Sequence, residues 1–303
     1  MSNPQKSFFT RRRLVAASAV SLAMLAAWGC SPAGLLNNAS RLVPGDAARL
    51  AASGVAFGAD PRLKLDVWLP TRRSAVPLPV IIFFYGGGWA SGERGDYGFA
   101  ARAFAARGFM VIVPDYRLVP QVRFPAFVED GARAVKWAQD HAAAYGGDPT
   151  RLALSGHSSG AYIAAMLSLD RHYLKDAGVA AGIVKAAALL SGPYDFYPFT
   201  EERGRNALGQ WPRPAETQPI HFARADAPPM LLLHGTADTV VRPYNSQRLA
   251  AALAGLGAPV ELKLYAGKSH IDTIKSLSPL LRGATPALAD SVDFLHARLG
   301  KGR

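Results

Sequence analysis

The sequence contains one cysteine, Cys30, in 303 residues, so no internal disulfide can form and no thiolate metal site or cysteine nucleophile can sit deep in the fold. It also lacks an apolar run long enough to span a bilayer. The best candidate, Leu14 to Ala27, is about 14 residues, against the roughly 20 a spanning helix needs. A formal net charge of +12 comes without any dense basic run in the body of the chain, where Arg and Lys are scattered among acidic residues, and a nucleic-acid partner is not expected. The seven histidines are dispersed with no His-x-x-x-His pair, and no Gly-x-x-x-x-Gly-Lys string is present, so neither a metal nor a phosphate-bearing cofactor is expected. No Pro/Ser/Gly-rich linker, internal repeat or low-complexity segment divides the chain, which favours one α/β domain.

What is present begins with an export pattern. Lys6 and Arg11-Arg12-Arg13 form a basic head, the apolar run follows, and small residues lead to Cys30. The arginine run between Thr10 and Leu14 resembles a twin-arginine signal, and Leu25-Ala26-Ala27-Trp28-Gly29-Cys30 resembles a bacterial lipoprotein box, with Trp28 where that pattern prefers a small residue. The expectation is a signal over 1–29, a lead-in over 30–52 and a single α/β domain over 53–303, in the envelope or periplasm, with Cys30 as lipidation site and possible membrane anchor. A plain cleavage site giving a soluble secreted protein is the alternative. Without residues 1–29 and their four positive charges, the chain carries +8.

At 50% hydrophobic residues the remainder can bury a large core. Leu63 to Leu69 alternates apolar and polar, predicting a half-exposed antiparallel strand near one edge. Val80 to Tyr85 and Met110 to Val113 are continuous apolar runs, as for strands buried on both faces, and Tyr97 to Arg107 between them has a helical apolar face. A helix from Pro125 through Tyr145 ends at Gly146-Gly147-Asp148-Pro149, and a strand over Leu152 to Leu154 follows. Buried strands at Lys185–Leu190 and Pro229–His234, helices at Asn245–Leu256 and Pro286–Leu299, and an alternating strand at Val260–Tyr265 complete a doubly wound, mostly parallel sheet.

Gly156-His157-Ser158-Ser159-Gly160 lies where the strand ending at Leu154 hands over to the helical run Ala161 to Met166. A serine at such a turn is lifted above the sheet, and the flanking glycines avoid clashes with strand and helix, so Ser158 is the candidate nucleophile. Active-site groups of such sheets lie at strand carboxyl ends. Asp238 follows one buried strand and His270 follows the alternating one. A serine hydroxyl needs an imidazole to take its proton during attack, and a carboxylate to fix that imidazole's tautomer. Asp226 precedes its strand, Asp272 comes too late in the chain, His296 lies in the terminal helix, and His157 is expected to pack beside the elbow.

In the order Ser158, Asp238, His270, the chain from Leu63 to Leu299 resembles the α/β-hydrolase superfamily, specifically carboxylesterases of its hormone-sensitive-lipase-like and kynurenine-formamidase-like (BD-FAE-like) branch. The resemblance implies an α/β-hydrolase fold with a short inserted lid and no large cap. It implies an oxyanion hole from the main-chain N–H groups of Gly87, Gly88 and Ser159. The family's His-Gly-Gly segment reads Tyr85-Gly86-Gly87-Gly88-Trp89 here, so how Tyr85 pins the loop is open. Asp115 and Arg117 are expected to fix loops by charge-assisted hydrogen bonds, and Asp195 is a possible substrate contact. Tyr194, Phe196, Tyr197, Phe199, Trp211 and Phe222, between Ser191 and Pro228, either line a lid or pack a long surface loop. The implied activity is hydrolysis of small to medium acyl esters by a serine carboxylesterase that uses no cofactor. Arylformamidase activity and a non-catalytic envelope binding module are the alternatives, and the oligomeric state is open.

Overall fold

A computed structural model describes residues 31–300. The export pattern and Cys30 lie outside the described residues. Helix α1 (Pro32–Ser40) starts with the Ser31 side chain accepting from the Gly34 N–H and with proline in its first turn, where no N–H is missed. Strand β1 (Ala48–Ala56) then pairs antiparallel with β2 (Lys64–Pro70), which pairs antiparallel with β4 (Met110–Pro114). From β4 the sheet runs parallel through β3 (Leu78–Phe84), β5 (Gly147–His157), β6 (Val184–Leu190), β7 (Met230–Gly235) and β8 (Val260–Tyr265). The order of this eight-stranded sheet is β1-β2-β4-β3-β5-β6-β7-β8.

Helices α2 (Gly98–Ala105) and α9 (Ala287–Leu299) cover one face. The other carries α3 (Ala126–His141), α4 (Ser159–Leu169) and α7 (Tyr244–Gly255), as a doubly wound sheet requires. The continuous apolar runs are buried throughout β3 and β4, as their sequence predicts. Strand β2 departs from expectation. It is antiparallel and lies next to the edge strand as expected, but it is not half-exposed: Leu65 through Leu69 are buried, because β1 takes the edge and α2 packs on β2. Its polar position, Asp66, is satisfied internally by the Ser53 hydroxyl, the Gly54 N–H and the Arg94 guanidinium, each at 2.9 Å.

The N-terminal segment is tied down more closely than a polar lead-in suggests. Ser31 Oγ donates to Asp96 Oδ2 at 2.5 Å, Asn37 Nδ2 to the Gly95 carbonyl at 2.8 Å, and the Ser40 and Ser278 hydroxyls bond at 2.7 Å. Strand β1 runs across position 52, where the sequence places the end of the lead-in.

Between β6 and β7 the insertion forms α6 (Glu202–Leu208) and two 3-10 turns, Pro214–Thr217 and Pro219–Phe222. It is anchored by Phe124 N–H to the Ala207 carbonyl at 2.9 Å and by the Tyr162 hydroxyl to the Thr217 carbonyl at 2.8 Å. The short helices α5 (Arg171–Asp176) and α8 (Asp272–Lys275) complete the structure. Among the described residues no helix is long and apolar enough to cross a membrane.

Candidate active site

Strand β5 ends at His157, and α4 begins at Ser159. Between them Ser158 adopts φ 55° and ψ −123°, a left-handed region costly for a side chain with a Cβ. The Ser158 N–H donates to the Leu190 carbonyl at 2.9 Å, and its carbonyl receives the Tyr162 N–H at 3.0 Å. Both ends of the turn are thus held by sheet and helix. A Cβ on Gly160 would stand 2.1 Å from the Phe84 carbonyl oxygen, so only glycine lets α4 come this close to β3.

His270, after β8, places Nε2 3.0 Å from Ser158 Oγ and Nδ1 2.7 Å from Asp238 Oδ2. The carboxylate can only accept, so Nδ1 carries the proton and Nε2 presents its lone pair to the serine hydroxyl. The Asp238 side chain is fully buried, and Oδ1 receives the N–H groups of Val240 at 2.9 Å and Val241 at 2.8 Å. Oδ2 receives His234 Nε2 at 3.1 Å as well as His270. Burial alone would raise the Asp238 pKa. The bonds from His234 and His270, the charge of His270 and the Val241 N–H outweigh it and hold the carboxyl well below the ordinary carboxylate range.

The oxyanion loop follows β3. Gly87 and Gly88 have φ of 147° and 60°, and a Cβ on Gly87 would lie 1.9 Å from the Ser91 carbonyl oxygen. The Gly87 carbonyl is turned into the loop, receiving Ala90 N–H and Ser91 N–H, each at 3.2 Å. Among the described residues no protein acceptor takes the N–H groups of Gly87, Gly88 or Ser159, so the three donors named from the sequence remain available.

The BD-FAE family model matches residues 65–253, a span that holds the oxyanion loop, Ser158 and Asp238. The chain belongs to the BD-FAE family. Among curated proteins this BD-FAE chain is similar to an isoprenylcysteine alpha-carbonyl methylesterase of Arabidopsis thaliana, 29% identical over 82% of the chain. It is also similar to esterase LipQ of Mycobacterium tuberculosis, 31% identical over 86% of the chain and 66% of LipQ. The chain spans 62% of the plant methylesterase's length. Among solved structures, a truncated carbohydrate esterase from gut microbiota superposes with a TM-score of 0.75 at 21% identity, covering 85% of this chain and 99% of that one. Esterase 2 of Thermogutta terrifontis superposes with a TM-score of 0.65 at 26% identity, covering 85% and 97%. The fold is the α/β-hydrolase fold.

Tyr85, where the superfamily carries histidine, pins the BD-FAE loop through its hydroxyl. It donates to Asp115 Oδ1 at 3.0 Å and accepts from Arg62 Nη2 at 3.1 Å, while Arg62 Nη2 also reaches the Gly92 carbonyl at 2.6 Å. The ring stacks on Tyr116 at 4.7 Å and on Tyr97 at 5.5 Å. Burial, the first of several causes, pushes the Tyr85 phenol well above its ordinary value, so it stays neutral. Asp115 also accepts from Arg94, through its N–H at 2.7 Å and Nη1 at 2.5 Å, and Arg117 makes a forked contact with buried Asp130. Both act on loops, as the sequence suggests.

Asp195 is paired with Arg248 at 2.9 Å. Asp226 pairs with Arg171 and Arg224 at the surface, Asp272 accepts from Ser269, and His296 Nε2 donates to the Arg107 carbonyl, just past α2, while its ring stacks on Phe109 at 4.3 Å. None of these four approaches Ser158 through a hydrogen bond. His157 packs beside the elbow as expected, its ring 4.8 Å from that of His270. Its Nε2 lies 3.0 Å from the His270 carbonyl, an acceptor only, so the proton sits on Nε2 and the His157 ring holds the backbone of the base.

Sequence reading missed His234 and Arg62. His234 Nδ1 faces the Ser246 hydroxyl at 2.7 Å and Nε2 the Val241 carbonyl at 2.8 Å, which fixes the Nε2–H tautomer aimed at Asp238. Its position at the end of a buried strand, four residues before the acid, was the available signal. Of the insertion's aromatics, Phe196 stacks on Trp89 at 6.1 Å and Trp211 meets Phe124 edge-on at 5.1 Å, so they close over the core beside the oxyanion loop, while Tyr197 is 54% exposed.

Proposed function

We propose that this chain is a serine carboxylesterase hydrolysing small to medium acyl esters through an acyl-enzyme. The observation that carries the reading is the continuous relay from Ser158 Oγ through His270 to Asp238, at 3.0 and 2.7 Å. In the first step Ser158 Oγ attacks the ester carbonyl and gives its proton to His270 Nε2. The tetrahedral oxyanion is received by the N–H groups of Gly87, Gly88 and Ser159. His270 then donates the proton to the departing alcohol oxygen, and the acyl group stays on Ser158. Water repeats the sequence: His270 takes its proton, the second tetrahedral species collapses, and the carboxylic acid leaves as Ser158 is reprotonated.

Esterase names among the relatives support the class of reaction, and the Thermogutta enzyme is described as phosphorylated by paraoxon. Residues 31–303 should hydrolyse p-nitrophenyl acetate and butyrate faster than decanoate, because the insertion is too short to shelter a long chain. Ser158→Ala should lose about a thousandfold or more in kcat. Paraoxon should add one diethylphosphoryl group at Ser158, read by peptide mass spectrometry. Turnover of N-formylkynurenine with none of the esters reassigns the site to amide chemistry, and no turnover with no labelling leaves a binding module.

We further propose that residues 1–29 direct export and that Cys30 carries a lipid. The pattern around Cys30 supports this. Partition of the full chain into detergent, lost in Cys30→Ser, is the expected result, and equal partition of both would refute it.

A further inference from the structure

We propose that Arg203 forms an anion subsite at the mouth of the catalytic site and selects esters that carry a carboxylate near the scissile carbonyl. The inference rests on the serine-esterase reading and gives it a substrate class.

Arg203 lies on α6, in the insertion that crosses the carboxyl ends of the strands. A Cβ built on Gly88 would stand 2.8 Å from Arg203 Cδ, 3.6 Å from Nε and 3.4 Å from Nη1. The guanidinium therefore lies directly against a residue assigned to the oxyanion hole. The helix that carries it is anchored on several sides. Arg205 donates to the Thr200 carbonyl at 2.5 Å, Arg123 to the Asn206 carbonyl at 3.0 Å, and Gly204 sits against the rings of Phe199 and Phe196.

Arg203 is solvent-exposed and makes no hydrogen bond or ion pair among the described residues. Its sequence neighbours Glu201 and Glu202 make no ion pair with it, and Asp195 is taken by Arg248. Other arginines that touch functional loops are committed, Arg94 to Asp66 and Asp115 and Arg117 to Asp130. A fork of N–H donors in this position matches a carboxylate in plane and charge, and a neutral ester offers it nothing comparable.

The test compares kcat/KM for two matched pairs. One places the carboxylate on the acyl half, p-nitrophenyl hemiglutarate against p-nitrophenyl valerate. The other places it on the alcohol half, 4-carboxyphenyl butyrate against 4-acetylphenyl butyrate. In at least one pair the charged-to-neutral ratio should fall about three- to tenfold in Arg203→Ala, be partly retained in Arg203→Lys and fall further in Arg203→Glu. The wild-type ratio should shrink as salt rises, and the Arg203→Ala ratio should not. The pair that responds shows which half of the ester carries the anion. Equal ratios for wild type and Arg203→Ala in both pairs overturn the proposal.

A readout free of turnover separates this from the parent reading. In Ser158→Ala, calorimetric binding of the hemiglutarate ester should weaken about three- to tenfold when Arg203→Ala is added, whether or not Ser158 proves to be the nucleophile. Unchanged binding of both this ester and 4-carboxyphenyl butyrate overturns the anion subsite while leaving esterase activity standing on its own assay.

Discussion

A histidine that is not the base lies on each side of the relay: His234 donates to Asp238 and His157 to the carbonyl of His270. Burial, with the charge of His270, pushes His157 down to about 3, so it stays neutral wherever the enzyme works. In the unfolded chain it regains an ordinary pKa near 6.5. Between those values the unfolded state binds the extra proton, and stability falls as pH drops from about 6.5 towards 3. The depressed Asp238 carboxyl adds loss in the same direction, at lower pH, below the ordinary carboxylate value. Denaturant midpoints at pH 7 and pH 5 isolate the histidine. His157→Gln should lose less stability across that interval than wild type, and equal losses would show that His157 is not protonated differentially. At Tyr85, replacement by phenylalanine strips Asp115 and Arg62 of a shared partner while leaving the ring stack. It should cost about 1–3 kcal/mol in urea unfolding and leave kcat within roughly tenfold. Ser158, Asp238 and His270 were legible because each is a chemically marked residue at a strand's carboxyl end. Arg62 was not, because its meaning depends on Tyr116, Tyr85 and Gly92, which meet it only after folding.

Elements differ in how far their own sequence specifies them. Strands β3 and β4 are buried along their whole length, so an unbroken apolar run announces them. Strand β1 reads Ala-Arg-Leu-Ala-Ala-Ser-Gly-Val-Ala, with neither alternation nor an apolar run, and its register with β2 shifts twice. It is a strand because β2 offers it an edge, and with β1 and α2 covering β2, the alternation of β2 did not translate into a half-exposed face. Helix α6 is similarly imposed, through Phe124, Arg123 and the aromatic pair Phe196 and Phe199. The α4 to β3 contact gives a sharp test at this scale. Gly160→Ala drives a Cβ into the Phe84 backbone and should prevent accumulation of soluble folded protein. Gly257→Ala, at φ 79° with open space around it, should cost only about 1–2 kcal/mol from backbone strain, seen as a small drop in Tm.

For the whole molecule, α1 is a buttress added to the hydrolase sheet. Its bonds, with that of its capping Ser31, to Asp96, Gly95 and Ser278 join this segment to two distant ones. A chain beginning at Gly45 should melt several degrees below residues 31–303 while keeping p-nitrophenyl acetate KM within severalfold, since no α1 residue touches the relay. Equal melting temperatures would show that the N-terminal helix contributes no stability.

Ser31 bonds to Asp96, in the 3-10 turn Arg94–Tyr97, and Tyr97 in that turn donates to the carbonyl of Gly86 beside the oxyanion loop. Two bonds thus link Ser31 to the backbone beside the oxyanion loop. A pull applied at Ser31 would be felt first in the turn that braces the oxyanion loop, before it reached the rest of the sheet.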